Sequence, residues 1–225
     1  AWLIQWADTK CREHDPALHE AAQDFVRTLL GLQGEPPTQI TKVVSGRQWK
    51  NIDVWAEIND THLLIIEDKT GSGQHSGQLE RYRKVAQEWC EEKGLSLTCV
   101  YLKTQSDSAA RIAEVEAQNF AVYSRARFLA LLDSHPVENA IYQDFRDRLT
   151  TFEALEGEFV EKLIGQWTEH DWKGFYQAVE RRRPIADWVY VNRIGDPFWA
   201  LVLNFPYCQG FPLYMQIEQG PLTFK

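Results

Sequence analysis

The chain has 225 residues, of which 44% are hydrophobic and 25% are charged, and its formal net charge at neutral pH is −8. These values are those of a globular protein with enough apolar residues for its own core, which excludes a disordered chain. The acidic balance argues against a protein that coats nucleic acid by bulk positive charge, but it allows a basic groove beside an acidic, cation-binding site.

The first half of the chain alternates helical and strand patterns. The periodicity predicts a helix over 18–33, strands at 40–44, 51–58 and 62–70, a helix over 76–93 and a strand at 96–102. Asp15-Pro16 is a helix start signal, and Gly94 is a typical helix C-cap. The polar segment Asn59-Asp60-Thr61 predicts a hairpin between the second and third strands.

The second half is more helical and then changes in composition. We expect a short helix near 109–117, a strand near 120–123, and helices at 125–133, 138–166 and 171–182. From Ile185 onward, β-branched and aromatic residues predict an antiparallel meander with turns at Gly195-Asp196 and Gly220-Pro221. The order of these predicted helices and strands indicates an α/β fold, with a mixed central sheet flanked by helices over 1–135. An extension of helices and a small β meander over 136–225 is expected to pack on that core.

Cysteine spacing and hydropathy indicate the compartment. Cys11, Cys90, Cys99 and Cys208 form no C-x-x-C pair and have no zinc-finger spacing, so we expect free thiols in a reducing compartment. The first residues carry no signal-peptide pattern, and no apolar run reaches the about 18 residues that span a bilayer. We therefore expect a cytoplasmic protein with no membrane partner.

The predicted hairpin brings charged residues together at one end. Its three-residue loop pairs Ile58 with His62. Continuing this register places Asp53 directly opposite Glu67, with Cβ atoms about 4.5–5.5 Å apart on one face of the sheet. Lys69 points the same way, because side chains alternate along a strand. Two carboxylates and one ammonium group therefore converge.

This combination of side chains predicts a metal-dependent phosphodiester hydrolase. A hard cation relieves the repulsion between two carboxylates, and oxygen ligands without nearby sulfur favour Mg²⁺ or Mn²⁺ over zinc. We expect Asp53 and Glu67 to hold the metal and Lys69 to position the attacking water or stabilise charge on the phosphate. Asp68 faces the other side of the strand and is assigned a structural contact. A cross-strand salt bridge on a solvated strand end is the alternative that spacing alone leaves open.

The same residues resemble a known nuclease family. Asp53 in NIDVWAEI and the Glu67-Asp68-Lys69 sequence in LLIIEDKT resemble the motif of the PD-(D/E)XK nuclease superfamily, although Ile52 stands where a proline often precedes the aspartate. The resemblance implies a restriction-endonuclease-like core over about residues 15–125. GQLERY at 77–82 is similar to the Q-x-x-x-Y helix motif of a bacterial and phage branch of that superfamily.

The resemblance implies further site residues. It places Gln78 and Tyr82 at the site, and their i, i+4 spacing puts them on one helix face, although Tyr82 is equally well explained as a core residue. It also offers Glu20, on the first helix, as an additional acidic residue, with Asp24 one turn later. An exposed glutamate favoured by the helix dipole is the alternative for Glu20.

Basic residues near the site are candidates for nucleic acid contacts, and a solvated charged face explains them equally well. They are Arg47, Lys50, Arg81, Arg83 and Lys84. The chain has no H-E-x-x-H motif, no G-x-S-x-G motif and no phosphate-binding loop, which removes zinc peptidases, α/β-hydrolases and P-loop enzymes from consideration. The segment Gly71-Ser72-Gly73-Gln74-His75 is expected to be flexible.

Two functions follow from these observations. The first is a Mg²⁺- or Mn²⁺-dependent endo- or exonuclease, with DNA favoured over RNA. The second is a nuclease-like binding or regulatory module without hydrolytic activity. It would use its aromatic C-terminal β segment to bind a protein partner or a second copy of the chain.

Overall fold

The computed structural model describes residues 1–69, 77–183, 186–192, 195, 197–208 and 211–219, with the backbone alone at 204–208 and 211–214. The helices are α1 (Trp2–Gln5), α2 (Pro16–Leu30), α3 (Gln78–Lys93), α4 (Ala109–Ala117), α5 (Arg125–Ser134), α6 (Ala140–Gly157) and α7 (Glu169–Arg182). Short 3₁₀ turns lie at Thr9–Cys11, Glu158–Val160 and Ile164–Gln166. The strands are β1 (Val43–Trp49), β2 (Ile52–Ile58), β3 (His62–Lys69), β4 (Ser96–Lys103), β5 (Ala121–Ser124), β6 (Ala186–Val191), β7 (Phe198–Cys208) and β8 (Phe211–Glu218).

The chain divides into two compact units. The first comprises residues 1–105 and 114–149, and the second comprises residues 106–113 and 150–225. The proposed boundary at residue 135, with the C-terminal part packed on the core, stays a prediction.

A five-stranded mixed sheet forms the centre of the first unit, as predicted. Its strand order is β1-β2-β3-β4-β5. The first three strands are antiparallel neighbours, and β3, β4 and β5 are parallel. A parallel connection needs a crossover, and α3 supplies it between β3 and β4. β3 is therefore a central strand, and it is buried from Leu63 to Glu67.

Local chemistry fixes the elements that frame this sheet. The Asp15 side chain accepts a hydrogen bond from the Leu18 N–H at 3.0 Å and caps α2, with Pro16 in the first turn. Asn59 and Asp60 both have a φ of +54°, the left-handed conformation that tight hairpin turns require. Gly94 ends α3 with a φ of +69°. All three sequence signals have the predicted effect.

Two predicted elements have different limits in the structure. The first strand runs over Val43–Trp49 rather than 40–44, because its pairing with β2 continues to Trp49. It does not begin at Ile40, because the Asn59 Oδ1 atom, rather than a neighbouring strand, accepts the backbone N–H groups of Thr41 and Lys42. The helix predicted over 138–166 ends at Gly157 and is followed by 3₁₀ turns. Glycines at 157 and 165 lower helix propensity in that segment.

The second unit contains a three-stranded antiparallel sheet in the order β6-β7-β8, which confirms the predicted C-terminal meander. Trp172 and Tyr176 of α7 pack with Trp188 and Leu201 of the sheet in its core. The Tyr176 hydroxyl donates to carbonyl oxygens in this unit, those of Trp199 and Ile217. The predicted turn at Gly220-Pro221 lies outside the described residues.

Cys11, Cys90 and Cys99 are free thiols, and the side chain of Cys208 lies outside the described part of the chain. Cys90 and Cys99 are buried, and burial raises the pKa of their thiols to about 11 and about 12. Such thiols are protonated at neutral pH and are poor nucleophiles and metal ligands. Within the described chain, none of the helices combines the length and the apolar character that a bilayer crossing requires.

Candidate active site at the end of the β2–β3 hairpin

The register of β2 and β3 agrees with the one predicted from the hairpin loop. Ile58 pairs with His62, and the antiparallel pairing continues to Val54 opposite Ile66. Asp53 is the next residue on β2, and Glu67 is the next on β3. Their side chains consequently share one face at the end of the hairpin.

The Glu67 carboxylate lies at the centre of the cluster. Its side chain is only 1% exposed, and its Oε1 atom accepts hydrogen bonds from Lys69 Nζ at 2.7 Å and from Gln78 Nε2 at 2.9 Å. Its Oε2 atom is buried and has no hydrogen-bond partner in the described part of the chain. A buried carboxylate oxygen without a partner is costly, and none of the described residues other than the neighbouring Asp53 carboxylate is placed to satisfy this atom, so it is a candidate ligand for a cation.

Asp53 is held from two sides. The backbone N–H of Asp68 donates to Asp53 Oδ2 at 3.1 Å, and Gln48 Nε2 donates to Asp53 Oδ1 at 3.3 Å. Asp68 itself is exposed, in agreement with its predicted orientation away from the cluster. Gln48 was not identified from the sequence, although it lies across from Asp53 in the β1–β2 pairing. The signal was available in the short Lys50-Asn51 turn, which fixes that register.

The electrostatics of the cluster disfavour two ionised carboxylates in the absence of a cation. Burial raises the pKa of Glu67 above its ordinary value. The hydrogen bond from Lys69 opposes this shift, and the negative charge of Asp53 adds to it. A divalent cation between the carboxylates would instead favour two ionised carboxylates, because it stabilises the ionised form of both groups.

Helix α3 supplies the polar residues behind Glu67. Gly77, with a φ of +72°, precedes the helix, and Gln78 is its first residue. Gln78 Nε2 also donates to the Tyr82 hydroxyl oxygen at 2.9 Å, so the i, i+4 pair lies on one face, as predicted. Tyr82 is only 5% exposed and belongs to the hydrophobic core. It therefore both packs in the core and contacts the site.

The residues present fit an oxygen-preferring cation. Two carboxylates meet here, and Gln78 Oε1, like Glu67 Oε2, is buried without a hydrogen-bond partner in the described chain. No group of three or more His, Cys, Asp or Glu side chains among the described residues is arranged to hold a metal. A cation here would thus have two carboxylate ligands and complete its shell with water or phosphate oxygens. This is the usual situation of Mg²⁺ in proteins.

The other predicted site residues lie outside this hydrogen-bonded cluster. Glu20 is exposed on α2, and no hydrogen bond or ion pair joins it to the cluster within the described residues, so its role stays a prediction. Asp24 lies 3.1 Å from the His135 Nε2 atom. The Arg81 guanidinium lies over the Tyr82 ring at 5.5 Å and is thereby next to the cluster.

Three other basic residues are exposed: Arg47 and Lys84, and also Lys50, whose ammonium lies over indole rings. Arg83 is half-buried. The predicted flexible segment at 71–75 lies outside the described residues.

Comparison with known families agrees with the fold and with this geometry. A family model of the PD-(D/E)XK nuclease superfamily matches residues 32–180, which is more than half of the chain and includes every residue of the cluster. The chain therefore belongs to the PD-(D/E)XK nuclease superfamily. Searches of curated proteins and of solved structures return no match. Membership of this superfamily indicates a metal-dependent nuclease that acts on nucleic acid.

Proposed function

We propose that the protein hydrolyses phosphodiester bonds in DNA with Mg²⁺, or Mn²⁺ in its place, as the cofactor. One observation carries the proposal: Glu67 presents beside Asp53 a buried carboxylate oxygen that no described residue hydrogen-bonds, while Lys69 binds its other oxygen. An ordinary salt bridge leaves no buried acceptor of this kind. The family supplies the reaction class, and the choice of DNA over RNA is part of the proposal.

Each residue of the cluster has a distinct role in this mechanism. Asp53 and Glu67 would hold the cation, which when bound supplies Lewis-acid stabilisation of the charge on the phosphate. The ammonium of Lys69, 2.7 Å from Glu67, orients the water that attacks phosphorus and donates a hydrogen bond to a phosphate oxygen. Gln78 fixes Glu67 Oε1 and leaves Oε2 for the cation. Tyr82 fixes Gln78.

Plasmid nicking tests the proposal. Purified protein with Mg²⁺ or Mn²⁺ is expected to nick supercoiled DNA, and Lys69→Ala is expected to lower the rate by about 10²-fold or more, the usual cost of removing a group that stabilises charge in the transition state. Lys42→Ala is the matched control, because Lys42 is an exposed lysine that pairs with Asp60 at the other end of the same hairpin. Equal nicking by wild type and Lys69→Ala would contradict the proposal. A parallel assay on RNA of the same length tests the choice of polymer.

A second function is favoured by an observation in the C-terminal sheet. Val189 and Tyr190 are exposed on β6, which is an outer strand of that sheet. Exposed apolar residues on an outer strand suit a protein partner or a second copy of the chain, as in a binding module without hydrolytic activity. Metal titration separates the two functions, because such a module has no need of a cation at Asp53 and Glu67.

A further inference from the structure

Three tryptophans lie on the same side of the first unit as the proposed site. Trp55 follows Asp53 by two residues on β2 and therefore shares its face, about 7 Å along the strand. Trp49 ends β1 after Gln48, whose left-handed backbone, with a φ of +57°, interrupts the alternation of side chains, and its ring contacts place it on the side of Trp55. The Trp49 ring centroid lies 6.1 Å from that of Trp55 and 5.5 Å from that of Trp89, on α3. These three side chains, the tryptophan cluster, are half-buried, so that each retains exposed surface.

The rings of the cluster are fixed in place. Trp55 lies against Gly46 of β1, where an added Cβ atom would come within 2.7 Å of the indole nitrogen. The indole N–H of Trp89 donates to Glu57 Oε1 at 3.1 Å. Trp49 contacts Trp89 edge to face. A binding surface with fixed rings loses little conformational entropy when a ligand stacks on it.

Positive charge accompanies these rings. The Lys50 ammonium lies 5.3 Å from the Trp49 ring centroid and 5.8 Å from that of Trp89. The Lys93 ammonium lies 5.1 Å from the Trp89 centroid. Both lysines are exposed, and in the described chain their ammonium groups contact indoles rather than carboxylates. Their charge is therefore available to phosphate groups.

We propose that the tryptophan cluster binds unpaired nucleotides of the substrate strand, with bases on the indoles and phosphates on Lys50 and Lys93. Aromatic rings interleaved with cations are the recurring surface for single-stranded nucleic acid, because only unpaired bases expose their faces for stacking. The inference rests on the proposed nuclease function and defines its substrate class: single strands, or duplexes with frayed or unpaired segments next to the scissile bond.

Binding can be measured without hydrolysis in the Asp53→Asn variant. Fluorescence anisotropy would compare three labelled probes: a 12-residue thymidine strand, an abasic strand with the same number of phosphates, and a blunt duplex. We expect the thymidine strand to bind more tightly than either of the others. Its advantage over the abasic strand should be about fivefold or more for each stacked base.

Substitutions in this background assign the preference to the cluster. Trp49→Leu should abolish the advantage of the thymidine strand over the abasic strand, and Trp49→Phe should retain most of it. Lys50→Gln should weaken binding to both strands equally, because phosphates are common to them. Trp167→Leu is the matched control, since Trp167 is a half-buried tryptophan in an aromatic group of the other unit. It should leave all three affinities unchanged.

The outcomes separate this inference from the proposed function. Equal affinity for the thymidine and abasic strands, tighter binding of the duplex, or no binding of any probe would overturn the inference while leaving the plasmid result intact. Retention of the thymidine preference in both Trp49 variants would also overturn it. If the protein prefers the thymidine strand but fails to nick plasmid, the result would support the tryptophan cluster as a binding surface and contradict the nuclease proposal.

Discussion

At the scale of single residues, Glu67 determines what the site can be. Its carboxylate is buried beside Asp53, with one oxygen bound by Lys69 and Gln78 and the other without a hydrogen bond from the part of the chain that the structure describes. Burial raises its pKa, the hydrogen bond from Lys69 opposes this shift, and the charge of Asp53 adds to it. The buried carboxylate therefore lowers the stability of the metal-free protein, and a bound cation would restore that stability.

The Glu67→Gln variant tests this at the same scale. The folded-state pKa of Glu67 lies above its unfolded-state value, so its contribution to stability is complete below the unfolded-state pKa and is lost as pH rises through the folded-state pKa. In EDTA, Glu67→Gln should therefore be more stable than wild type at neutral pH, and the difference should shrink as the solution is acidified. Urea unfolding from pH 4 to pH 8 measures this, with the exposed Glu116→Gln as control. A variant less stable than wild type at neutral pH would contradict it.

Much of the cluster could be predicted at the residue scale. The length of one hairpin loop places Asp53 beside Glu67, and alternation along β3 adds Lys69. The contact between Gln78 and Glu67 depends on how α3 crosses the sheet, which only the family resemblance indicated. Gln48 could be found only from the register that the Lys50-Asn51 turn sets, and its left-handed conformation, with a φ of +57°, is one that glutamine rarely adopts.

At the scale of elements, local signals fix turns and caps, while packing fixes the ends of longer segments. Asp15, Asn59 and Gly94 act through their own side chains or backbone, and the sequence predicts each correctly. At the end of α6, the low helix propensity of Gly157 coincides with packing against a distant helix. The backbone carbonyl of Glu156 lies against Gly174 of α7. The local pattern of hydrophobic residues gives no indication of this contact.

Gly174→Ala tests that packing. A methyl group at position 174 would overlap with the Glu156 carbonyl oxygen, so the two segments must separate. We expect a loss of about 3 kcal/mol or more in the free energy of unfolding of the second unit, the size usual for overpacking against rigid backbone. Gly165→Ala is the matched control, because nothing lies within 4 Å of the added methyl group, and it should be nearly neutral. Thermal unfolding followed by circular dichroism measures both, and equal stability of the two variants would contradict the packing argument.

At the scale of the whole molecule, the chain is acidic, with a net charge of −8, so the nucleic-acid surface that we propose is a local one. Superfamily membership over 32–180 and the mixed five-stranded sheet agree on the class of protein. The sequence predicts both sheets because strand and helix periodicities differ strongly. The two compact units comprise residues 1–105 with 114–149 and residues 106–113 with 150–225, and the expected boundary at residue 135 stays a prediction.

Calorimetric titration of the metal-free protein with Mn²⁺ tests the central claim most directly. The account predicts saturable binding to wild type that is lost in Asp53→Asn and retained in Asp60→Asn, which removes an exposed carboxylate at the opposite end of the same hairpin. Binding should weaken as pH falls, because protons compete for Glu67. Absence of binding to wild type, or unchanged binding in Asp53→Asn, would contradict the assignment of this hairpin end as a metal centre.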